Sequence, residues 1–329
     1  MKPVMKIRVA VVYGGRSGEH EISLLSAKSI IGAMDPDRYE ITRYLIGKDG
    51  RWSPAPILPE PGAHPDIDVV FPVLHGTFGE DGTVQGLFEL ADLPYVGANV
   101  LASALSMDKD VMKRVCRDRG LPIVDYAVLS REQIEAGPVA CDFAFPMFVK
   151  PANLGSSVGI SKAHDDAELQ AALKTAAQYD RKVIVERGIQ GREFECSVLG
   201  NEDPAASMPC EVHPSREFYD YEDKYELNLT RFDLPPKLPE SEIAEMRRLA
   251  VACCKAVGCE GMGRVDFLRE QATGRLYINE INTIPGFTSI SMYPKMWEYS
   301  GIPYSDLIDR LIDLALERHL QKKATRFTR

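Results

Sequence analysis

Four polar side chains in the last third of the chain carry the clearest chemistry: Arg264 and Asp266 in Gly263-Arg-Val-Asp-Phe267, and Glu280 and Asn282 in Asn279-Glu-Ile-Asn282. Side chains on a strand alternate faces, so Arg264 and Asp266 project one way while Val265 and Phe267 project the other. Glu280 and Asn282 likewise share a face, with Ile281 opposite. Strands over 264–268 and 275–282, joined by a short Gly-containing connection, form a hairpin that gathers Asp266, Glu280 and Asn282. Two carboxylates and an amide oxygen, without sulfur or imidazole, suit Mg²⁺, which takes few protein ligands beside waters and substrate phosphates. The alternative at this stage is a hairpin with a merely solvated polar face. The loop that follows, Asn282-Thr-Ile-Pro-Gly-Phe-Thr-Ser-Ile-Ser291, is polar, and its backbone N–H groups and hydroxyls can hold an anion.

A second group of residues points to phosphate. Lys150 closes a strand-like run just before Gly155-Ser-Ser-Val-Gly159, where glycines permit close backbone approach and Ser156 and Ser157 offer donors. The spacing matches neither a Walker A loop nor Gly-x-Gly-x-x-Gly, which argues against a P-loop enzyme or a dinucleotide-binding dehydrogenase. Taken alone the segment is also consistent with an ordinary turn. Lys109, in Ser106-Met-Asp-Lys109, is another cation able to meet a phosphate, or else a solvated helix lysine.

These residues need a frame. A buried strand over 7–13, a turn over 14–18 and a helix over 19–34 make a β-turn-α opening. Strands over 40–46 and 68–74 follow, separated by a Pro-rich stretch over 54–65. Alternating strands and helices imply a parallel sheet whose ligand crevice lies at the strands' carboxyl ends, where both Gly-rich turns fall. A helix over 102–119 stops at Gly120-Leu-Pro122. A second unit has strands over 147–150 and 183–186 around a helix over 165–178. The rest reads as antiparallel: a strand over 193–199, a polar aromatic-rich stretch over 211–233, an amphipathic helix over 240–257, then the hairpin. The basic tail over 321–329 reads as a frayed terminus.

Composition bounds the partners. A chain of 329 residues with 45% hydrophobic content buries a substantial core and is long enough for two or three domains. Lys and Arg number 39 against 48 Asp and Glu, a formal charge of −9, which disfavours nucleic acid and anionic membrane as partners. No apolar run approaches the roughly 20 residues of a spanning helix, and the N-terminus lacks signal-peptide features, so a cytoplasmic protein is expected. Seven cysteines show no metal or redox spacing; reduced, buried thiols are expected.

Nine runs, taken in order, resemble the D-alanine:D-alanine ligase family. They are Gly14-Gly-Arg-Ser-Gly-Glu-His-Glu-Ile-Ser23, Leu74-His-Gly-Thr-Phe-Gly-Glu-Asp-Gly-Thr-Val-Gln-Gly86, Leu93-Pro-Tyr-Val-Gly97, Ala104-Leu-Ser-Met-Asp-Lys109, Val149-Lys-Pro151, Gly155-Ser-Ser-Val-Gly159, Phe218-Tyr-Asp-Tyr-Glu-Asp-Lys-Tyr225, Gly263-Arg-Val-Asp266 and Glu280-Ile-Asn-Thr-Ile-Pro-Gly-Phe-Thr-Ser289. The resemblance spans about residues 7 to 315 and implies an α/β ATP-grasp fold in three domains: an N-terminal parallel-sheet domain over 1–104, a small central domain over 105–190 and a metal-carrying C-terminal domain over 191–329. ATP is clamped between the last two.

By that resemblance Lys109 and Lys150 would contact the ATP phosphates under the Ser156-Ser157 loop. Glu186, Arg187 and Ile189 would border adenine, Glu193 would hold the ribose, and Phe218 and Leu268 would line the nucleotide site. Asp266, Glu280 and Asn282 would hold two Mg²⁺ (or Mn²⁺) ions. Glu19 would bind the ammonium of the first D-alanine, with Ser156, Tyr225 and His75 around it. Arg264 and the Gly286 N–H would stabilise an acyl phosphate and the tetrahedral species, and Ser291 with Lys224 would fix the second substrate's carboxylate or the transferred phosphate. The aromatic residues over 216–231 would close over the site and expel water. The implied reaction is ATP-dependent joining of two D-alanines, which supplies peptidoglycan precursors, in a homodimer. Arg187 stands where relatives carry lysine, and Ile284 replaces a small polar residue. Tyr225 favours a dipeptide over a depsipeptide product. The rival readings are another ATP-grasp carboxylate-amine ligase, using D-serine or D-lactate, and a noncatalytic nucleotide-binding module.

Overall fold

A run of four apolar residues, Val9 to Val12, is buried on both faces of the first strand, as expected for a strand inside a parallel sheet covered on both sides. The computed structural model describes residues 5–214 and 230–326. The first sheet has the order β3-β2-β1-β4, formed by β1 (Ile7–Gly14), β2 (Tyr39–Ile46), β3 (Trp52–Ser53) and β4 (Val69–Val73). β1 lies parallel to both β2 and β4, and α1 (His20–Ala33) makes the first crossover. The short antiparallel β3 was not legible in the sequence. The carboxyl ends of β1 and β4 run into the two Gly-rich turns.

The helix expected over 102–119 is two helices, α3 (Val100–Met107) and α4 (Lys109–Asp118), after α2 (Thr83–Leu90). Asp108 takes an extended backbone and its carboxylate accepts the Val111 N–H, so it caps α4. The break turns Lys109 into the first residue of a helix, with its N–H donated to the Ala152 carbonyl.

The second sheet, order β5-β8-β6-β7, is antiparallel throughout: β5 (Tyr126–Ser130), β6 (Met147–Pro151), β7 (Ser161–Ala163) and β8 (Lys182–Arg187). A capping box of Ser130 and Gln133 starts α5 (Arg131–Ala136). On α6 (Asp166–Tyr179), Leu169, Ala172, Leu173, Ala176 and Ala177 recur at helical spacing and pack with Met147, Val149, Val183 and Val185.

The third sheet, order β12-β11-β9-β13-β14 with β10 on β9, is built from β9 (Gly191–Gly200), β10 (Ala205–Ala206), β11 (Cys210–His213), β12 (Arg231–Asp233), β13 (Gly261–Glu270) and β14 (Leu276–Asn282). The amphipathic helix α7 (Glu240–Val257) has the bounds expected from sequence and backs this sheet with Met246, Leu249, Ala250 and Cys253. The polar aromatic-rich stretch over 211–233 begins and ends in paired strands. Phe218, Lys224 and Tyr225 lie outside the described residues.

α8 (Met292–Tyr299) and α9 (Tyr304–Lys323) return the chain to its start. Val11, Val69 and Phe71 of the first sheet share one apolar core with Phe287, Trp297, Leu307 and Leu311. Phe287 meets Phe71 edge-on with ring centroids 6.3 Å apart. The basic tail is not frayed where expected: α9 continues through Lys323, with Lys322 paired to Glu89 and Lys323 3.2 Å from Asp92. All seven cysteines are free and six are buried, as their placement in apolar stretches implied. Among the described residues no helix is long and apolar enough to cross a membrane.

Candidate active site

The hairpin of β13 and β14 forms in the register that gathers the predicted ligands: Arg264 stands opposite Asn282, and Asp266 opposite Glu280. Beyond Asp266 the register shifts, because Phe267 pairs with Ile278 and Asn279 is left over as a bulge. Strict alternation would turn Asn279 toward the core beside Ile281. The bulge instead lets Ile278 and Ile281 both stay buried while Asn279 and Glu280 both face the site. Asn279 Oδ1 accepts a hydrogen bond from Lys150 Nζ at 3.2 Å. Asn279 was missed from sequence, although buried isoleucines three apart rather than two were the available signal.

Asp266 is gripped by Arg264, whose Nε and Nη2 donate to its two oxygens at 2.7 Å each, and by Asn282 Nδ2 at 2.9 Å. On the neighbouring strand Glu195 stands in register with Asp266, with its Oε2 3.5 Å from Arg264 Nε. Glu195, Asp266 and Glu280 thus form one row across β9, β13 and β14. Burial pulls the Arg264 guanidinium down, but Asp266 and Glu195 outweigh it and hold its pKa well above the ordinary value. Asp266, Glu280 and Asn282 offer two carboxylates and an amide oxygen, an oxygen-only set that suits hard divalent cations, while Glu195 lies against the guanidinium. Glu211, His213 and Asp233 have ligand atoms within 4.8 Å of one another. That cluster faces away from the row, since Glu211 pairs in register with core Phe194, and Arg192 already engages its carboxylate. We read it as a structural ion network.

Lysines from β6 and α4 reach the hairpin. Lys150 Nζ lies 2.6 Å from Glu186 Oε2 as well as beside Asn279, so it ties β6 and β8 to β14. Lys109 Nζ donates to the Leu154 carbonyl at 2.8 Å and lies 3.4 Å from Glu280 Oε2. Lys113, one turn after Lys109 and fully buried, lies 2.8 Å from Glu186 Oε1. Burial pushes the Glu186 carboxyl up, but Lys113 and Lys150 outweigh it and hold its pKa at about 2. Burial pulls Lys113 below its ordinary value, with Glu186 opposing, whereas for Lys150 Glu186 outweighs burial and the net shift is upward. Sequence reasoning missed Lys113; its i, i+4 spacing from Lys109 was the signal.

The other expected nucleotide residues sit nearby, with one change of emphasis. Arg187 turns its guanidinium to Glu270 Oε1 at 3.0 Å and Tyr277 OH at 3.2 Å, so its side chain fastens β8 to the third sheet. Ile189 is half-buried where β8 passes into β9. Glu193 and Leu268 face each other across β9 and β13, and the Glu193 charge acts on Lys150.

The Gly-Ser loop adopts strained backbone: Ser156 and Ser157 both lie in the left-handed region, at φ 52° and 59°. A Cβ on Gly155 would stand 3.6 Å from Glu19 Oε2, which places the loop over Glu19. Gly76 needs its missing side chain, because a Cβ there would come within 2.7 Å of the same oxygen.

Near buried Glu19, the loop after β4 clasps the backbone of Ile284 on both sides. His75 Nδ1 lies 3.0 Å from the Ile284 carbonyl, and its Nε2 lies 3.0 Å from Ser26 Oγ. Glu80 accepts the Ile284 N–H at 3.1 Å with one oxygen and the Gly76 N–H at 2.7 Å with the other. Burial lowers the His75 pKa despite the Glu19 charge, so the ring is neutral near pH 7. Burial and then Glu19 push Glu80 up to about 8. Glu80 was not anticipated from sequence. Gly286 follows this clasp directly, and a Cβ there would meet Ser291 Oγ at 2.7 Å. Ser291 itself is folded into its own loop, accepting the Thr288 N–H at 3.0 Å.

The chain is similar to known proteins over nearly its whole length. Residues 8–64 and 58–98 match the family model "D-ala D-ala ligase N-terminus", and residues 115–313 match "D-ala D-ala ligase C-terminus". The chain is 68% identical over 325 residues to the D-alanine-D-alanine ligase of Solibacter usitatus, covering 99% of this chain and 100% of that one. The structure is similar to the D-alanine-D-alanine ligase of Coxiella burnetii, with a TM-score of 0.84 at 38% identity, covering 98% and 97% of the two chains. It is also similar to the VanG D-Ala:D-Ser ligase of Enterococcus faecalis, with a TM-score of 0.85 at 34% identity, covering 94% and 100%.

Proposed function

The chain belongs to the D-alanine-D-alanine ligase family, and on that footing we propose that it joins two D-alanine molecules into D-alanyl-D-alanine, cleaving ATP to ADP and phosphate by way of an acyl phosphate. It is an ATP-dependent ligase with the ATP-grasp fold. The observation that carries the reading is the convergence of Lys109 and Lys150 on the Asn279-Glu280 pair, beside the acidic row of β13 and β14.

A carboxylate is a poor electrophile and must be activated. In this reading Glu19 receives the ammonium of the first D-alanine and aims its carboxylate at the nucleotide. Lys109 and Lys150 hold the phosphates, and the Ser156-Ser157 loop covers them. A carboxylate oxygen of the substrate bonds to the γ-phosphorus, the bridging bond to the β-phosphate breaks, and ADP departs. Asp266, Glu280 and Asn282 would hold divalent cations, two in our assignment, which would supply neutralisation of the phosphate charge. The amine of the second D-alanine then adds to the acyl carbon while Arg264 and the Gly286 N–H hold the oxyanion. Collapse breaks the C–O bond to phosphate, which leaves carrying the proton that the nitrogen gives up, and the amide remains.

His75 and Glu80 act on this step by fixing the backbone on both sides of Ile284, two residues before Gly286. Glu186, Arg187 and Ile189 border adenine, with Arg187 contributing backbone, and Glu193, Leu268 and Phe218 complete the nucleotide site. Tyr225 assists Glu19 and favours a dipeptide product, and Lys224 with Ser291 fixes the second substrate. We further assign three units over 1–104, 105–190 and 191–329, a homodimer, and a cytoplasmic role in supplying peptidoglycan precursors. Supplying ATP and Mg²⁺ with D-alanine, D-serine or D-lactate and measuring ADP release and product mass tests the reading. D-alanyl-D-alanine is expected as the main product, whereas a D-serine or D-lactate preference at neutral pH would overturn the substrate assignment.

A further inference from the structure

We propose that Glu195 is a positioning residue for the oxyanion arginine: its carboxylate keeps the Arg264 guanidinium aimed when Asp266 is drawn toward a bound cation. The inference rests on the roles given above to Arg264 and Asp266. Glu195 stands opposite Asp266 on β9, and its Oε2 lies 3.5 Å from Arg264 Nε. Its side chain is only 7% exposed, against 17% for Arg264. A carboxylate so far from water is costly without positive charge close by, and Arg264 is positioned to supply it.

The geometry gives Asp266 two tasks that compete. Both of its oxygens now accept from Arg264, at 2.7 Å each. An oxygen that binds a divalent cation gives up electron density to it and becomes a weaker partner for the guanidinium. The arginine would then lose its hold in the state in which it must face the oxyanion. Arginine's planar fork owes its aim to the acceptors around it, so a second carboxylate that is not shared with the cation preserves that aim. Glu195 meets the Nε edge from the neighbouring strand and fills that need.

Steady-state kinetics of the full chain with ATP, Mg²⁺ and D-alanine, with thermal melts, test this. Glu195→Gln keeps size and polarity but removes the charge. It should lower kcat about tenfold or more, while the KM for ATP and the melting-temperature rise on adding ATP and Mg²⁺ stay near wild type. If Glu195 acts through Arg264, the same change in an Arg264→Lys background should cost less than about threefold. A Glu195→Gln kcat within about twofold of wild type, or an undiminished loss in the Arg264→Lys background, overturns the inference. Should the glutamine variant not fold, Glu195→Ser carries the same comparison with the same outcomes. A folded wild-type chain without ATP-dependent turnover of D-alanine would overturn the reaction assignment and this inference together; an active wild type with an unaffected Glu195→Gln overturns the inference alone.

Discussion

At the scale of single residues, the site is a set of charges that need one another. Asp266 and Glu280 belong to a row that concentrates negative charge, and removing either carboxylate should remove cation-assisted chemistry without removing the fold. Asp266→Asn and Glu280→Gln should each lower kcat by about 10²-fold or more in an ADP-release assay, with the melting temperature shifted by no more than about 5 °C. The buried triad behaves differently, because Glu186 lies between Lys113 and Lys150 at 2.8 and 2.6 Å. Its pKa is held at about 2, below the ordinary carboxylate value. A depressed carboxyl stabilises the folded state above its unfolded pKa, and that stability is lost as pH falls toward the folded value. Lys113→Met should therefore cost about 3–5 kcal/mol at neutral pH in urea denaturation, and the acid-unfolding midpoint should move to higher pH.

At the scale of elements, small departures from regular structure set the site. The bulge at Asn279 puts two successive polar residues on one face of β14, and the break at Asp108 makes Lys109 the start of a helix. Neither was read from the sequence, because periodicity reports the regular part of an element and averages over a single extra or missing residue. What periodicity does report came through well. The hairpin parity of Arg264, Asp266, Glu280 and Asn282 and the bounds of α7 follow from burial alone. Contacts between distant segments were not legible: the Glu80 and His75 clasp on Ile284 joins residues more than 200 positions apart. Phe287 shows how strongly packing ties those segments, since it is fully buried between the first sheet and the closing helices. Phe287→Ala should cost about 3–5 kcal/mol in chemical denaturation, and fluorescence and circular dichroism should report one shared transition.

At the scale of the whole molecule, the chain folds back so that β1 and β4 share a core with the closing helices, while β6 and α4 bring lysines to the β13–β14 hairpin. The acidic row, the lysines and the Gly-Ser loop converge from separate elements on one place, opposite Glu19 on the loop after β1. In the proposed reaction that arrangement would bring a nucleotide's phosphates against a small amino acid's carboxylate, and the central claim is that a carboxylate oxygen bonds to phosphorus there before any amide forms. The direct test is to supply D-alanine labelled with ¹⁸O in its carboxylate, together with ATP and Mg²⁺, and to weigh the inorganic phosphate released. An acyl phosphate requires one labelled oxygen in each phosphate for every dipeptide made; unlabelled phosphate accompanying dipeptide formation would contradict the account.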